Sequence, residues 1–177
     1  TFDDKDKTGL ASSLDDMREL LAADPRNQKC IYPYASGTIN DDPHQKPRRY
    51  VICFGSMTEG EARQWPMLFR IVEERVKPIR QKDKRASRRN TWWLFGERQP
   101  KLFAELKNHS RVTVVPAIST HPTFSLCPSS WLFSHNLNVL LVGTFAGFAC
   151  LQNRLHERWA RLTSSTLQDS FGYRPTD

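Results

Sequence analysis

The chain has 177 residues, of which 38% are hydrophobic and 25% are charged, and its 26 Lys and Arg residues against 19 Asp and Glu give a net charge of +7. This length is typical of one domain, and five Trp with ten Phe can fill a core, so the composition excludes wholesale disorder. The longest apolar run, at residues 137–142, is too short to cross a bilayer, which excludes a membrane protein.

The N-terminal part of the chain predicts one helix and two strands. Residues 1–12 are polar and aperiodic, which predicts a flexible lead-in. Ser13 can cap a helix whose apolar residues recur at helical spacing, and Asp24-Pro25 ends it. The aromatic and β-branched runs at 30–34 and 50–54 predict strands.

The next segment predicts a helical region that ends in a charged stretch. Thr58 and Glu61 have the spacing of a capping box, so a helix should begin there. Pro66 suits the first position of a second helix, and Pro78 predicts a kink or an end near residue 77. The run at 80–90 is then the end of that helix or a loop.

The C-terminal half predicts a short helix, a group of strands and a long helix. Pro100 opens the short helix, and the long one covers about 145–162. Its apolar stripe comprises Phe145, Phe148, Leu151, Leu155, Trp159 and Leu162. Four strands are predicted at 112–115, 123–127, 131–133 and 137–142. These elements together indicate an α+β fold, with a central, mostly antiparallel sheet of short strands flanked by amphipathic helices.

Positive charge is concentrated in one segment. Residues 75–101 contain ten basic and two acidic residues, a net charge of +8, so the rest of the chain sums to −1. Such a patch attracts polyanions by releasing counterions from phosphates, and nucleic acid is the commonest partner of this kind. A solvated charged loop without a partner is the alternative.

No catalytic or metal site can be assembled from the sequence. The cysteines at 30, 53, 127 and 150 are far apart, which predicts reduced thiols in a cytosolic protein, and those at 53 and 150 lie in apolar runs that predict burial. A glycine-rich cofactor turn and a phosphate-binding loop are both missing. Glu105 and Lys107 match half of a nuclease signature, but on a predicted helix. The sequence therefore favours a binding module with no catalytic residue, metal or cofactor of its own.

Several short motifs between residues 32 and 177 share one order and spacing with a known family. They are Tyr32-Pro33-Tyr34-Ala35-Ser36-Gly37, Tyr50-Val51-Ile52-Cys53-Phe54-Gly55 with Glu61-Ala62-Arg63 and Val76-Lys77-Pro78, Arg89-Asn90-Thr91-Trp92-Trp93-Leu94-Phe95-Gly96 with Arg98-Gln99-Pro100, Pro116-Ala117-Ile118-Ser119-Thr120-His121, and Arg154-Leu155-His156-Glu157-Arg158-Trp159-Ala160. In this order they resemble the target recognition domain of the MmeI-like restriction–modification enzymes. The chain departs from the family at Ala117 and Thr120, where the family has Arg and Lys. Such changes in base-reading strands are expected of a protein that reads a different DNA sequence.

The resemblance implies that the chain is a fragment of a longer protein. Enzymes of this family join a nuclease, an adenine-N6 DNA methyltransferase and the recognition domain in one chain. S-adenosylmethionine and Mg would then belong to the parent chain, and the partners of this domain would be double-stranded DNA and the methyltransferase domain of the same chain. Residues 1–28 are interpreted as a linker and short helix at the tail of the preceding region, and 29–177 as the recognition domain.

Two sets of residues are expected to contact DNA. Lys and Arg set the register on the duplex through phosphates, and short polar side chains at strand ends read base edges. The expected phosphate contacts are Arg80, Lys82, Lys84, Arg85, Arg88, Arg89, Arg98 and Lys101. The expected base-reading residues are Ser119, Thr120, His121, Thr123, Ser134, His135, Asn136 and Asn138. The rings of Trp92 and Trp93 are candidates for stacking on a sugar or base, although an adjacent pair in a strand-like context is expected to place one ring in the core.

Two other functions remain open from the sequence. One is an RNA-binding or structural docking module that uses the basic segment. The other is a small metal-dependent nuclease that uses Glu105 and Lys107.

Overall fold

The computed structural model describes residues 1–41, 46–95, 99–163, 166–167 and 170–173. The chain forms two compact units, each built from two stretches of sequence. The first unit comprises Thr1–Tyr32 and Arg49–Gln99, and the second comprises Pro33–Arg48 and Pro100–Asp177. The predicted α+β class is confirmed, because helices and short, mostly antiparallel strands occur in separate groups along the chain.

The first unit begins with the predicted helix. Helix α1 spans Leu14–Ala23 and is closed by a capping box, in which the Ser13 hydroxyl accepts from the Asp16 N–H and the Asp16 carboxylate accepts from the Ser13 N–H, both at 3.0 Å. A 3₁₀ turn at Pro25–Lys29 follows, and strand β1 begins at Ile31 and ends at Ala35. Strand β2 spans Arg49–Ile52. Directly after it, the backbone N–H of Cys53 donates a hydrogen bond to the Cys30 carbonyl at 2.8 Å.

The N-terminal residues are not a flexible lead-in, so that prediction is wrong. Phe2 is only 1% exposed, and its backbone exchanges hydrogen bonds of 2.8 and 3.0 Å with Tyr50. The carboxylate of Asp3 forms an ion pair of 2.7 Å with Arg49. One aromatic residue among polar neighbours gives no periodic signal, yet its burial fixes the segment. The domain boundary at residue 29 stays a prediction.

Short helices complete the first unit. They are α2 at Glu59–Ala62, α3 at Pro66–Arg75, α4 at Lys77–Gln81 and α5 at Ala86–Asn90. The capping box at Thr58 and Glu61 is present, and Pro66 opens α3 as predicted. The stretch at 80–90 is neither a plain loop nor the end of one helix, because it holds the end of α4, a turn and α5.

The core of the first unit is aromatic. Phe69 and Trp92 pack edge to face with ring centroids 5.3 Å apart, and the Lys77 ammonium lies 4.8 Å from the Trp92 ring. Trp93 is half-buried and donates from its indole to the Met57 carbonyl at 3.0 Å. One tryptophan ring therefore lies in the core, as expected, although the pair sits in a turn rather than a strand.

The second unit is rich in strands. After a 3₁₀ turn at Gly37–Asp41 and helix α6 at Pro100–Leu106, it contains β3 at Arg111–Pro116, β4 at Ile118–Ser119, β5 at Ser125–Pro128, β6 at Leu132–Phe133, β7 at Leu137–Leu140, β8 at Thr166–Leu167 and β9 at Ser170–Gly172. Two antiparallel sheets have the orders β5-β3-β7 and β4-β9-β8. The end of β1 pairs in parallel with β6. No described helix is both long and apolar enough to cross a membrane.

The predicted long C-terminal helix is two helices, α7 at Phe145–Leu151 and α8 at Arg154–Thr163. The Gln152 side chain accepts from the Phe124 N–H at 3.0 Å, and the Asn153 side chain accepts from the Leu155 N–H at 2.8 Å, so the break is stabilised on both sides.

The apolar stripe predicted for that helix is buried only in part, because Phe148 and Leu151 pack against the core of the second unit whereas the other four members are exposed. The exposed fractions are 69% for Phe145, 76% for Leu155, 54% for Trp159 and 86% for Leu162. Ala160 is buried instead, and Cys150 is exposed although its apolar neighbours predicted burial.

Candidate nucleic-acid interface

Three chain segments meet at one end of the β5-β3-β7 sheet. Strand β3 is antiparallel to both neighbours, with Val114 opposite Ser125 and Pro116 opposite Leu137. The exit of β3 and the entries of β5 and β7 therefore lie at the same end. This recognition end of the sheet, residues 117–123 and 134–138, contains all eight side chains predicted to read bases.

Five of the eight side chains at the recognition end are exposed. They are Thr120, His121, Thr123, His135 and Asn136. The hydroxyl of half-buried Ser119 donates to the His121 carbonyl at 2.6 Å. The hydroxyl of buried Ser134 accepts from the Asn136 N–H at 3.2 Å, and the Asn138 amide donates to the Tyr173 carbonyl at 2.6 Å. The hydrogen bonds of Ser119, Ser134 and Asn138 thus fix the backbone that carries the five exposed side chains.

An ion pair on α8 reaches the recognition end. Glu157 accepts from Arg161 at 2.9 and 3.0 Å, and the same guanidinium donates to the Thr120 carbonyl at 2.8 Å and lies 3.3 Å from His121 Nδ1. The hydrogen bond from Arg161 lowers the pKa of Glu157, and the positive charges around it act in the same direction. The four-residue spacing of Glu157 and Arg161 was the sequence signal available for this ion pair.

The Arg161 contact predicts local order at the recognition end. Replacing Arg161 by Ala should release the Thr120 carbonyl and speed amide exchange over residues 118–123, because the exposed segment loses its tie to α8. Hydrogen exchange of this segment measures the effect. Arg158→Ala, an exposed arginine on the same helix, is the matched control. Equal exchange in the two variants would contradict this role for Arg161.

The predicted phosphate contacts of the first unit lie on and between α4 and α5. Arg80 is half-buried on α4, and the exposed side chains between the two helices are Lys82, Lys84 and Arg85. We call residues 80–89 the basic turn. It is the densest group of cations among the described residues of this unit.

Two cations of the basic turn are engaged within it. Arg88 lies 3.4 Å from the Asp83 carboxylate. Arg89 donates to the backbone carbonyls of Asp83 and Lys84 at 2.7 and 3.0 Å. Arg88 and Arg89 therefore shape the turn, whereas Lys82, Lys84 and Arg85 present their charges to solvent. The sequence analysis did not distinguish the cations that bond within the turn from those whose charges face solvent.

The remaining predicted phosphate contacts lie elsewhere. Lys101 is exposed on α6, in the second unit rather than on the basic turn. Arg98 lies outside the described residues.

Metal and thiol chemistry have little support in the described parts of the chain. No group of three or more His, Cys, Asp or Glu side chains there could hold a metal ion. Glu105 is exposed on α6, on a helix as predicted. All four cysteines are free thiols, and burial raises the pKa of both Cys30 and Cys127 to about 11, which keeps them protonated at neutral pH.

Comparison with known proteins gives one family. The family model described as "MmeI, target recognition domain" matches residues 3–176. Among curated proteins, none matches the sequence. A solved structure of the Type IIL restriction-modification enzyme MmeI in complex with DNA is similar in fold, with a TM-score of 0.66 and 15% sequence identity. The similarity covers 90% of this chain but 21% of that enzyme, so the chain spans about a fifth of its length. Since the family model covers nearly every residue, the chain belongs to the MmeI target recognition domain family.

Proposed function

We propose that this chain is the sequence-specific double-stranded DNA recognition module of a restriction–modification enzyme, and that it positions a target adenine for the methyltransferase domain of the same longer protein. The family match over residues 3–176 carries the proposal. The similar fold of an enzyme described in complex with DNA supports it.

Base reading is assigned to the exposed side chains at the recognition end. Direct readout needs donors and acceptors on a rigid frame, and the hydrogen bonds of Ser134 and Asn138 provide that frame. Asn136 is exposed, and an Asn side chain can form two hydrogen bonds to adenine in the major groove. Thr120, His121, Thr123 and His135 add further donors and acceptors.

Phosphate binding is assigned to exposed cations. Lys82, Lys84 and Arg85 are on the basic turn, and Lys101 adds a cation on the second unit. Such contacts fix the register of a protein on DNA without reading its sequence. Arg80 is half-buried at the edge of this group. Half-buried Arg88 and exposed Arg89, which also bond within the turn, stay in the proposal as phosphate contacts. Arg98 is retained from the sequence alone.

Catalysis is assigned to other parts of the parent protein. The described residues of this chain offer no cluster of ligands that suits Mg. We propose that S-adenosylmethionine and Mg act in the methyltransferase and nuclease domains, and that the enzyme works in the cytoplasm. Flipping the adenine out of the duplex would then bring it to the methyltransferase while this module holds the neighbouring base pairs.

The test is a DNA titration of the chain and a triple variant, Lys82→Ala, Lys84→Ala and Arg85→Ala, at several salt concentrations. Wild type should bind duplex DNA with an affinity that falls steeply with salt. Each lost phosphate contact should reduce the slope of log K against log salt by about 0.9, so the triple variant should lose about 2.7. Fluorescence anisotropy with a labelled duplex measures both quantities.

A matched control separates position from net charge. The variant Lys5→Ala, Lys7→Ala and Lys29→Ala removes the same charge from other exposed sites and should keep nearly the whole slope. An equal loss in the two variants, or no binding by wild type at low salt, would contradict the proposal. Tighter binding to RNA of the same sequence would favour the RNA-binding alternative.

A further inference from the structure

We infer that Asp83, the acidic residue of the basic turn, is a positioning residue for DNA backbone binding, holding Lys82, Lys84 and Arg85 in a fixed arrangement. The inference rests on the proposed function and goes beyond it. It assigns to an anionic side chain a favourable role in binding a polyanion.

Asp83 is bonded to the segment that follows it at three points. One carboxylate oxygen accepts from the Arg85 N–H at 2.9 Å, and the other lies 3.4 Å from the Arg88 guanidinium. The backbone carbonyl of Asp83 accepts from Arg89 at 2.7 Å. These contacts join the turn after α4 to the first and last parts of α5.

Electrostatics explain why an acid belongs here. The basic turn carries six cations, and like charges at this density repel one another. The backbone hydrogen bond from Arg85 lowers the pKa of Asp83, and the Arg88 and Arg80 guanidiniums act in the same direction. Asp83 is therefore ionised at neutral pH and offsets part of the repulsion that would spread the turn.

Order in the turn should matter for DNA binding. Helices α4 and α5 each have five residues, too few to be stable alone, so the bonds of Asp83 supply much of the local constraint. A turn that is already ordered loses less conformational entropy when its side chains are fixed on phosphates. The exposed cations would then bind together rather than one at a time.

The sign of the effect distinguishes positioning from simple charge. If only net charge mattered, removing Asp83 would add one positive charge and strengthen DNA binding. If Asp83 positions the cations, the same change weakens binding, because up to three phosphate contacts lose their alignment. The two expectations differ in direction as well as in size.

The test compares Asp83→Asn and Asp83→Ala with Glu74→Gln. Asn keeps an oxygen for the Arg85 N–H but loses the charge that faces Arg88, and Ala loses both. We expect Asp83→Asn to bind DNA about 3- to 10-fold more weakly, Asp83→Ala to bind more weakly still, and the salt slope to fall by about one. Glu74 is an exposed acid on α3, so Glu74→Gln makes the same charge change outside the turn and should leave binding equal or slightly tighter.

A second measurement excludes a general loss of structure. Asp83→Asn should have no further effect in the Lys82→Ala, Lys84→Ala, Arg85→Ala background, and its thermal midpoint should stay near that of wild type. A further loss of affinity in that background would overturn the inference, as would wild-type or tighter binding by Asp83→Asn. If wild type itself fails to bind duplex DNA, the proposed function fails instead.

Discussion

Replacing Trp92 by Ala is expected to lower the free energy of unfolding by about 3–5 kcal/mol. The side chain is 6% exposed and packs against Phe69, Trp93 and the Lys77 ammonium. Its removal leaves a cavity that the surrounding rings cannot fill. Urea denaturation followed by circular dichroism measures the change.

The control for this prediction is Trp159→Ala. Trp159 is 54% exposed on α8, so the same substitution should cost about 1 kcal/mol or less. Equal losses in the two variants would show that Trp92 is not a core residue. Because its ring is buried, Trp92 is not available to stack on a base without unfolding its surroundings.

Gly143→Ala is expected to destabilise the protein by roughly 2–3 kcal/mol. A Cβ atom at this position would overlap the backbone carbonyl of Arg111, which belongs to β3 and cannot rotate away as a side chain could. The adjacent Val142 carbonyl accepts from the Thr113 hydroxyl at 2.6 Å, so any shift also disturbs that hydrogen bond. Urea denaturation gives the difference from wild type.

Gly60→Ala is the matched control for Gly143. Gly60 lies in α2, and a Cβ there would meet nothing within 4 Å. Because Ala has a higher helix propensity than Gly, this variant should be unchanged or more stable by up to about 1 kcal/mol. A loss at Gly60 as large as that at Gly143 would mean that crowding against Arg111 is not the cause.

Local chemistry made several elements predictable. The caps at Ser13 and Thr58 and the first-turn prolines at 66 and 100 place four helix starts correctly, because each depends on residues within one turn. The four strands predicted at 112–142 correspond to β3, β5, β6 and β7, since proline and polar residues mark their ends. The short strands β4, β8 and β9 were not predicted.

Features that depend on distant partners were not predictable. The burial of Phe2 requires Tyr50, far along the chain, to complete its hydrogen bonds. The break before α8 depends on Gln152 finding the Phe124 N–H, so a continuous apolar period misled the helix prediction. Periodicity reports what one helix could bury, whereas the tertiary contacts decide which face it does bury.

In the candidate site, too, the residue types were predictable from the sequence, whereas their exposure depends on tertiary contacts. Polar residues at strand ends were identified from the sequence, and antiparallel pairing brings them to one end of the sheet. Composition could not distinguish exposed Asn136 from Asn138, whose amide is bonded to the Tyr173 carbonyl. Whether these residues contact DNA remains a prediction.

The interleaving of the two units has a consequence for synthesis on the ribosome. The chain passes from one unit to the other after Tyr32, after Arg48 and after Gln99. The core of the first unit needs Phe2 and Ile31 together with Trp92. At about 5–20 residues per second, Ile31 waits roughly 3–12 seconds for Trp92 to be translated. Until then Phe2 and Ile31 lack Trp92 as a packing partner, so the core of the first unit cannot close before more than half of the chain has been translated.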